Sequence, residues 1–176
     1  SQTEETQVMW STSTAVQPNV VEDIANLELR PTFLGIADNT ALGEDVVRKL
    51  QRQKVNTEYM KEIPNGMGTW LAVFDHNGDL AGLHFPSAPN PDADSRYSGR
   101  KTEMKIIEKL DSIVAEIDME KEIIKKSWYS SVKKYDKKTD GVVSNMNIAV
   151  SRRDLLQKFD CLICNQLEAG LVFFSD

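Results

Sequence analysis

An amide and a carboxylate three residues apart, Asn165 and Glu168, stand where the apolar run 160–164 gives way to a helical pattern. A carboxylate oxygen suits hydrated magnesium, and an amide can orient a phosphate. The same pair also satisfies a helix start, with Asn as cap and Glu three residues on. Residue type and spacing meet both demands. Ser151, Arg152, Arg153 and Asp154 form a second such group, in which serine and aspartate suit a capping box opening the next helix. Its arginines suit an anion or a solvated helix start. Asp75, His76, Asn77 and Gly78 read as a hairpin tip rather than a metal site. Cys161 and Cys164 have the spacing of zinc and redox sites, but no second pair exists and His76 and His84 lie far off. On a buried strand, residues three apart point to opposite faces, so two buried thiols are expected.

The elements that would hold these groups follow from apolar spacing. Residues 1–18 are polar and aperiodic and read as an irregular leader. From Asn19 onward, Val20, Ile24 and Leu27 space as a short amphipathic helix, followed by a buried strand over 32–36 and a helix over 43–54. The helix over 43–54 carries acids at its front and bases behind, as its macrodipole prefers. Thr69–Phe74 and 80–84, joined through Asn77 and Gly78, predict a β-hairpin over 69–84. The Pro-, Ser- and Asp-rich stretch 85–100 reads as an exposed loop. Beyond it, helices and strands alternate: helix 101–110, strand 112–117, helix 119–135, strand 141–150, helix 152–159, strand 160–164 and helix 166–174. Such alternation predicts an α/β fold, with crossover units on a largely parallel sheet and ligands beyond the carboxyl ends of its strands.

The 176 residues carry a formal net charge of −6 and no basic block, so no nucleic-acid partner is expected. No apolar run reaches membrane-spanning length, and the polar start is unlike a secretory signal. No membrane association and a cytoplasmic location are the expectation. Phosphate-loop, dinucleotide-binding and nucleophile-elbow motifs are absent.

Taken in order, these segments resemble the ribokinase (PfkB) family of carbohydrate and nucleoside kinases. In 19–60 an asparagine opens a helix, a strand ends in glycine, and an aspartate-rich turn precedes another glycine; Asn19, Gly35, Asn39 and Gly43 occupy those places. The hairpin 69–84 resembles part of the family's lid over the sugar, and Asn165 with Glu168 resembles its Asn-x-x-Glu motif. The resemblance covers most of 19–176.

It implies an incomplete, Rossmann-like three-layer α/β/α ribokinase-type fold with a β-hairpin lid element, spanning 19–176. It implies ATP-dependent phosphorylation of a sugar or nucleoside hydroxyl, with Mg2+ and ATP as cofactors of the complete enzyme. Asn19, Gly35, Asn39 and Gly43 would then bind substrate, and Asn165 and Glu168 would organise the metal. Thr14, Ala15, Val16, Gln17 and Pro18 stand where the family has glycines, and no first strand with a sugar-gripping aspartate is evident in 1–18. The Gly-Ala-Gly-Asp signature, with its catalytic aspartate and the ATP-binding half, would lie beyond Asp176. No catalytic residue is therefore expected in this chain, and its activity would be impaired or absent. The rival expectation is a non-catalytic α/β domain that self-associates as a homodimer through an exposed hairpin edge.

Overall fold

The computed structural model describes residues 7–10, 16–67, 69–87, 106–118, 121 and 130–174. Strand β1 (Gln7–Trp10) is followed by helix α1 (Val16–Asn26), β2 (Thr32–Leu34), β3 (Ile36–Ala37), α2 (Ala41–Arg52) and β4 (Lys61–Glu62). Next come β5 (Thr69–Phe74) and β6 (Leu80–Ser87), then a helical stretch over 106–109 and β7 (Ser112–Glu116). The chain ends with α3 (Ser130–Tyr135), β8 (Lys138–Val142), α4 (Met146–Ser151), α5 (Arg153–Leu156), β9 (Cys161–Ile163) and α6 (Gln166–Phe174).

Five strands pair in the order β2-β1-β7-β8-β9, every neighbour parallel. A parallel sheet must be covered on both faces, and alternate residues of its strands enter opposite cores. Phe33, Val114 and Val142 pack with Val21 and Ile24 of α1 and Leu50 of α2. Leu34, Ile113 and Ala115 pack on the other side with Ile106, Ile107, Val132 of α3 and Leu155 of α5. This is the expected three-layer α/β/α arrangement. A third cluster, with Ile117, Val143, Ala149, Leu156 and Val172, extends toward the carboxyl ends of β7 and β8.

Several sequence expectations change. The segment read as an irregular leader supplies β1, hydrogen-bonded between β2 and β7. Four residues flanked by serine and threonine give no measurable period, so long-range pairing fixes this strand. The stretch 141–150 divides: β8 ends at Val142, and Asn145 opens α4 by accepting from the Asn147 and Ile148 amides. That cap overrides the strand preference of Ile148 and Val150. Ser151 does not open the following helix; it ends α4, its Oγ donating to the Ile148 carbonyl, while Asp154 pairs with Lys121 at 3.2 Å. The cysteines are not both buried. Cys161 is exposed and Cys164 half-buried, because β9 lies at the margin of the described sheet.

The hairpin forms as an antiparallel pair of its own. The Asp75 carboxylate accepts from the Asn77 and Asp79 amides, and Gly78 takes φ +86°, the conformation for which glycine is suited. The second strand runs on to Ser87, so 85–87 belong to β6 and the rest of the expected loop, 88–100, lies outside the described residues.

Gly43, in the first turn of α2, lies against the Asp38 backbone. A Cβ there would stand 1.9 Å from the Asp38 carbonyl oxygen and 2.8 Å from the Asp38 nitrogen. Backbone cannot yield as a side-chain tip can. Gly43→Ala is therefore expected to cost on the order of 1–3 kcal/mol, as overpacking does. Urea unfolding should show a lower midpoint with an unchanged slope.

Candidate functional site

Parallel strands bring their carboxyl ends to one edge of the sheet, where α/β folds gather ligands. At the ends of β7, β8 and β9 this edge carries Glu116 and Asp118, then Ser144 and Asn145, then Asn165 and Glu168.

Glu116 is only 2% exposed and accepts a hydrogen bond from the Ser144 hydroxyl. Ser144 also reaches Asp118. One hydroxyl has one proton to give, so it cannot serve both carboxylates at once. Asp118 Oδ1 is buried with no hydrogen-bond partner. Burial pushes the Asp118 carboxyl above the ordinary carboxylate value, outweighing the Ser144 hydrogen bond and the nearby Arg152 charge. Arg152 is itself tied to the strand end, its guanidinium donating to the Ile117 carbonyl at 2.6 Å. A buried carboxylate oxygen without a protein donor is costly in the folded chain unless a water or a ligand supplies one.

Asn165 and Glu168 bond each other reciprocally. Asn165 Oδ1 accepts from the Glu168 amide at 2.9 Å, and Glu168 Oε2 accepts from the Asn165 amide at 2.7 Å. This is a capping box at the start of α6. It does not exhaust the carboxylate, which has about four acceptor positions. Magnesium keeps several waters and takes one or two carboxylates together with substrate phosphates, and this donor set fits such a hydrated ion. It does not fit a closed metal cage: among the described residues no three His, Cys, Asp or Glu side chains gather to hold a metal.

The other sequence candidates are spread along the chain. Asn19 is exposed in the first turn of α1 and is not its cap, since the helix begins at Val16. Gly35 is buried between β2 and β3, its carbonyl accepting from the Lys61 amide at 3.0 Å. Asn39 is exposed in the turn after β3, beside Asp38, whose Oδ1 is likewise buried without a partner. Among the described residues no hydrogen bond joins Asn19 or Asn39 to the Asn165–Glu168 pair. Sequence reasoning missed Glu116, Asp118 and Ser144. Acids at the end of an apolar strand, SIVAEID, were the available signal.

The strand order and the site at its carboxyl edge define a ribokinase-type α/β fold. The chain superposes over 98% of its length on 2-dehydro-3-deoxygluconokinase from Thermotoga maritima, with TM-score 0.74 and 15% identity, covering 63% of that chain. It superposes over 96% on Arabidopsis thaliana ribokinase complexed with ribose and ATP, with TM-score 0.75 and 15% identity, covering 62%. A PfkB family carbohydrate kinase from Listeria grayi matches over 98% of the chain, with TM-score 0.72 and 12% identity, covering 64%. The resemblance to PfkB-family carbohydrate kinases drawn from the sequence therefore holds in the fold. In sequence, the chain is 24% identical over 156 residues, 88% of its length, to guanosine-inosine kinase of Exiguobacterium acetylicum. It spans 50% of that protein, and thus about half the length of its curated relative. No family model matches the chain. Among the described residues, no helix is long and apolar enough to cross a membrane.

Two outcomes are expected of the site itself. Asn165→Ala should cost on the order of 0.5–2 kcal/mol through loss of the cap, and Glu168→Gln less, since the amide oxygen still accepts; thermal unfolding separates them. The raised Asp118 gives a definite sign to pH dependence. Its stabilising share is fully present below the ordinary value of 3.8 and is lost as pH rises through the raised folded value. Asp118→Asn should match wild type below pH 3.8 and become progressively more stable than it above, as read by denaturant titrations across pH.

Proposed function

We propose that this chain forms part of a cytoplasmic, ATP- and magnesium-dependent kinase that phosphorylates a hydroxyl of a sugar or nucleoside. The observation that carries the reading is Asp118 Oδ1, a buried and unpartnered acceptor at the carboxyl edge of a ribokinase-type sheet. A substrate hydroxyl supplies the donor it lacks. Ser144 then gives its one proton to Glu116 while the substrate hydroxyl donates to Asp118, so neither carboxylate is stranded. Arg152 holds the strand end through the Ile117 carbonyl.

Glu168, oriented by Asn165, would hold the hydrated magnesium, which when bound offsets charge on the transferring phosphate. Asn19, Gly35, Asn39 and Gly43 would line the substrate side, with Gly43 keeping the turn at Asp38 and Asn39 close to α2. The hairpin β5–β6 would serve as a lid that excludes water. No group of this chain is assigned as the base that takes the hydroxyl proton. The fold relatives and the guanosine-inosine kinase support the reaction class and leave sugar and nucleoside both open.

A second reading rests on the hairpin, whose Val73 and Phe74 are exposed on a two-stranded sheet apart from the main one. Such an edge suits self-association into a homodimer, and the mass of the chain in solution tests it.

Binding is the direct test of the kinase reading. Calorimetric titration of ribose, guanosine, inosine and 2-dehydro-3-deoxygluconate should show binding of at least one, weakened tenfold or more in Asp118→Asn while that variant stays folded. Equal binding by wild type and variant, or none by either, would sink it. Glu168→Gln should bind the same compound as wild type does and lose the magnesium response of added ATP.

A further inference from the structure

The amino edge of the sheet, where Thr32 starts β2, carries a cleft of its own. It encloses about 680 Å³ between the turn that follows α1 and the turn that follows α2, with Glu28, Leu29, Arg30, Pro31, Lys54 and Asn56 in its walls. Small-molecule sites run to roughly 300–1,000 Å³, so the cleft is of that size. Both turns are tied to β2. The Asn56 amide donates to the Pro31 carbonyl and the Asn56 carbonyl accepts from the Phe33 amide, each at 2.9 Å. The Asn56 side chain is held as well, its Nδ2 donating to Thr32 Oγ1 at 3.4 Å and its Oδ1 accepting from the Glu58 amide at 3.0 Å.

The backbone singles out the same place. Among the described residues four that are not glycine take a positive φ: Glu28, Lys54, Asn65 and Asp136. Asparagine and aspartate tolerate that conformation, whereas glutamate and lysine gain nothing from it. Those two both line the cleft. Lys54, at φ +64°, closes α2 in a Schellman turn, its amide donating to the Gln51 carbonyl and the Val55 amide to the Leu50 carbonyl. Glycine would fill that position with less strain. Nor does the helix dipole call for Lys54, since Lys49 and Arg52 already stand in the last turn of α2.

We infer that this cleft binds a nucleoside monophosphate. Arg30 and Lys54 bring two cations from different turns to one cleft, which suits the doubly charged phosphate of a monoester. Leu29 and Pro31 give apolar surface for a base, and the Glu28 carboxylate accepts from ribose hydroxyls. Inorganic phosphate would leave the apolar wall unused, and a free nucleoside would leave the cations unused. The inference does not rest on the phosphotransfer reading, because Thr32 lies at the opposite end of the strands from Glu116 and Asp118.

The test titrates adenosine and guanosine 5′-monophosphates into the chain by calorimetry, beside ribose 5-phosphate, inorganic phosphate and the two nucleosides. Every titration is run in the Asp118→Asn background, so that the carboxyl edge contributes least. At least one monophosphate is expected to bind, tenfold or more tighter than any of the other probes, and to slow hydrogen exchange at 28–32 and 54–56. Adding Lys54→Gly should weaken that binding tenfold or more while urea unfolding shows the fold kept or strengthened, because glycine relieves the turn. A lysine that serves only the turn would leave binding unchanged. Arg30→Ala should weaken binding to a similar degree. The inference is overturned if neither monophosphate binds, if Lys54→Gly binds as well as its parent, or if ribose 5-phosphate or a nucleoside binds equally well. Protection confined to 116–118 and 144 overturns it too, since the ligand would then sit at the carboxyl edge. None of these outcomes decides the kinase reading, which depends on what Asp118 itself binds.

Discussion

Backbone hydrogen bonds on both sides of Gln7–Trp10 join two parts of the chain that otherwise share no sheet. On one side β1 pairs with β2, which leads through Gly35 into the Asp38 turn and α2. On the other it pairs with β7, the first of the strands that carry the carboxylates. Each such bond contributes about 0.5–1.5 kcal/mol net, and leaving its groups buried and unmade costs more. The larger effect is geometric. Without β1, Phe33 and Val114 would have no strand between them, and the core they share with α1 and α2 could not close. The Asp38 turn and the Glu116–Asp118 edge are positioned relative to each other through these four residues.

The same edge carries a group that costs the fold stability. A fold selected for stability alone would replace Asp118 by a neutral side chain, since burial raises its pKa and leaves Oδ1 without a donor. Glu116 stands two residues earlier, at the end of β7, buried and bonded by Ser144. A buried acid with a perturbed pKa at such a place is a candidate functional group. Arg152 moderates the cost without removing it, because its guanidinium is already engaged at the Ile117 carbonyl.

Much of this was legible in the sequence, and what was not has a physical reason. The hairpin was readable because its turn is local chemistry, an aspartate accepting two amides and a glycine at positive φ. α2 was readable because Val46 and Leu50 repeat on one face, and α6 because its cap and first glutamate are three residues apart. β1 was not, because four residues carry too little pattern and their partners lie at Thr32–Leu34 and Ser112–Ala115. α4 was hidden by β-branched residues that a single cap at Asn145 overrules. The acids at 116 and 118 were passed over in the sequence; only the approach of Ser144 and Arg152, brought over by β8 and α4, sets them apart.

The Asn165–Glu168 pair shows why a capping reading and a metal reading need not compete. The cap fixes Glu168 by one oxygen on the Asn165 amide, so the carboxylate loses rotational freedom before any ion arrives. Its charge also sits at the positive end of the α6 dipole, which weakens its pull on a cation. A single carboxylate so placed favours an ion that keeps its waters and brings its own anionic ligand. That is the behaviour of magnesium with phosphates, and it differs from that of an ion needing a closed cage. In the proposed role the cap would restrict which ions Glu168 could serve, as well as starting the helix.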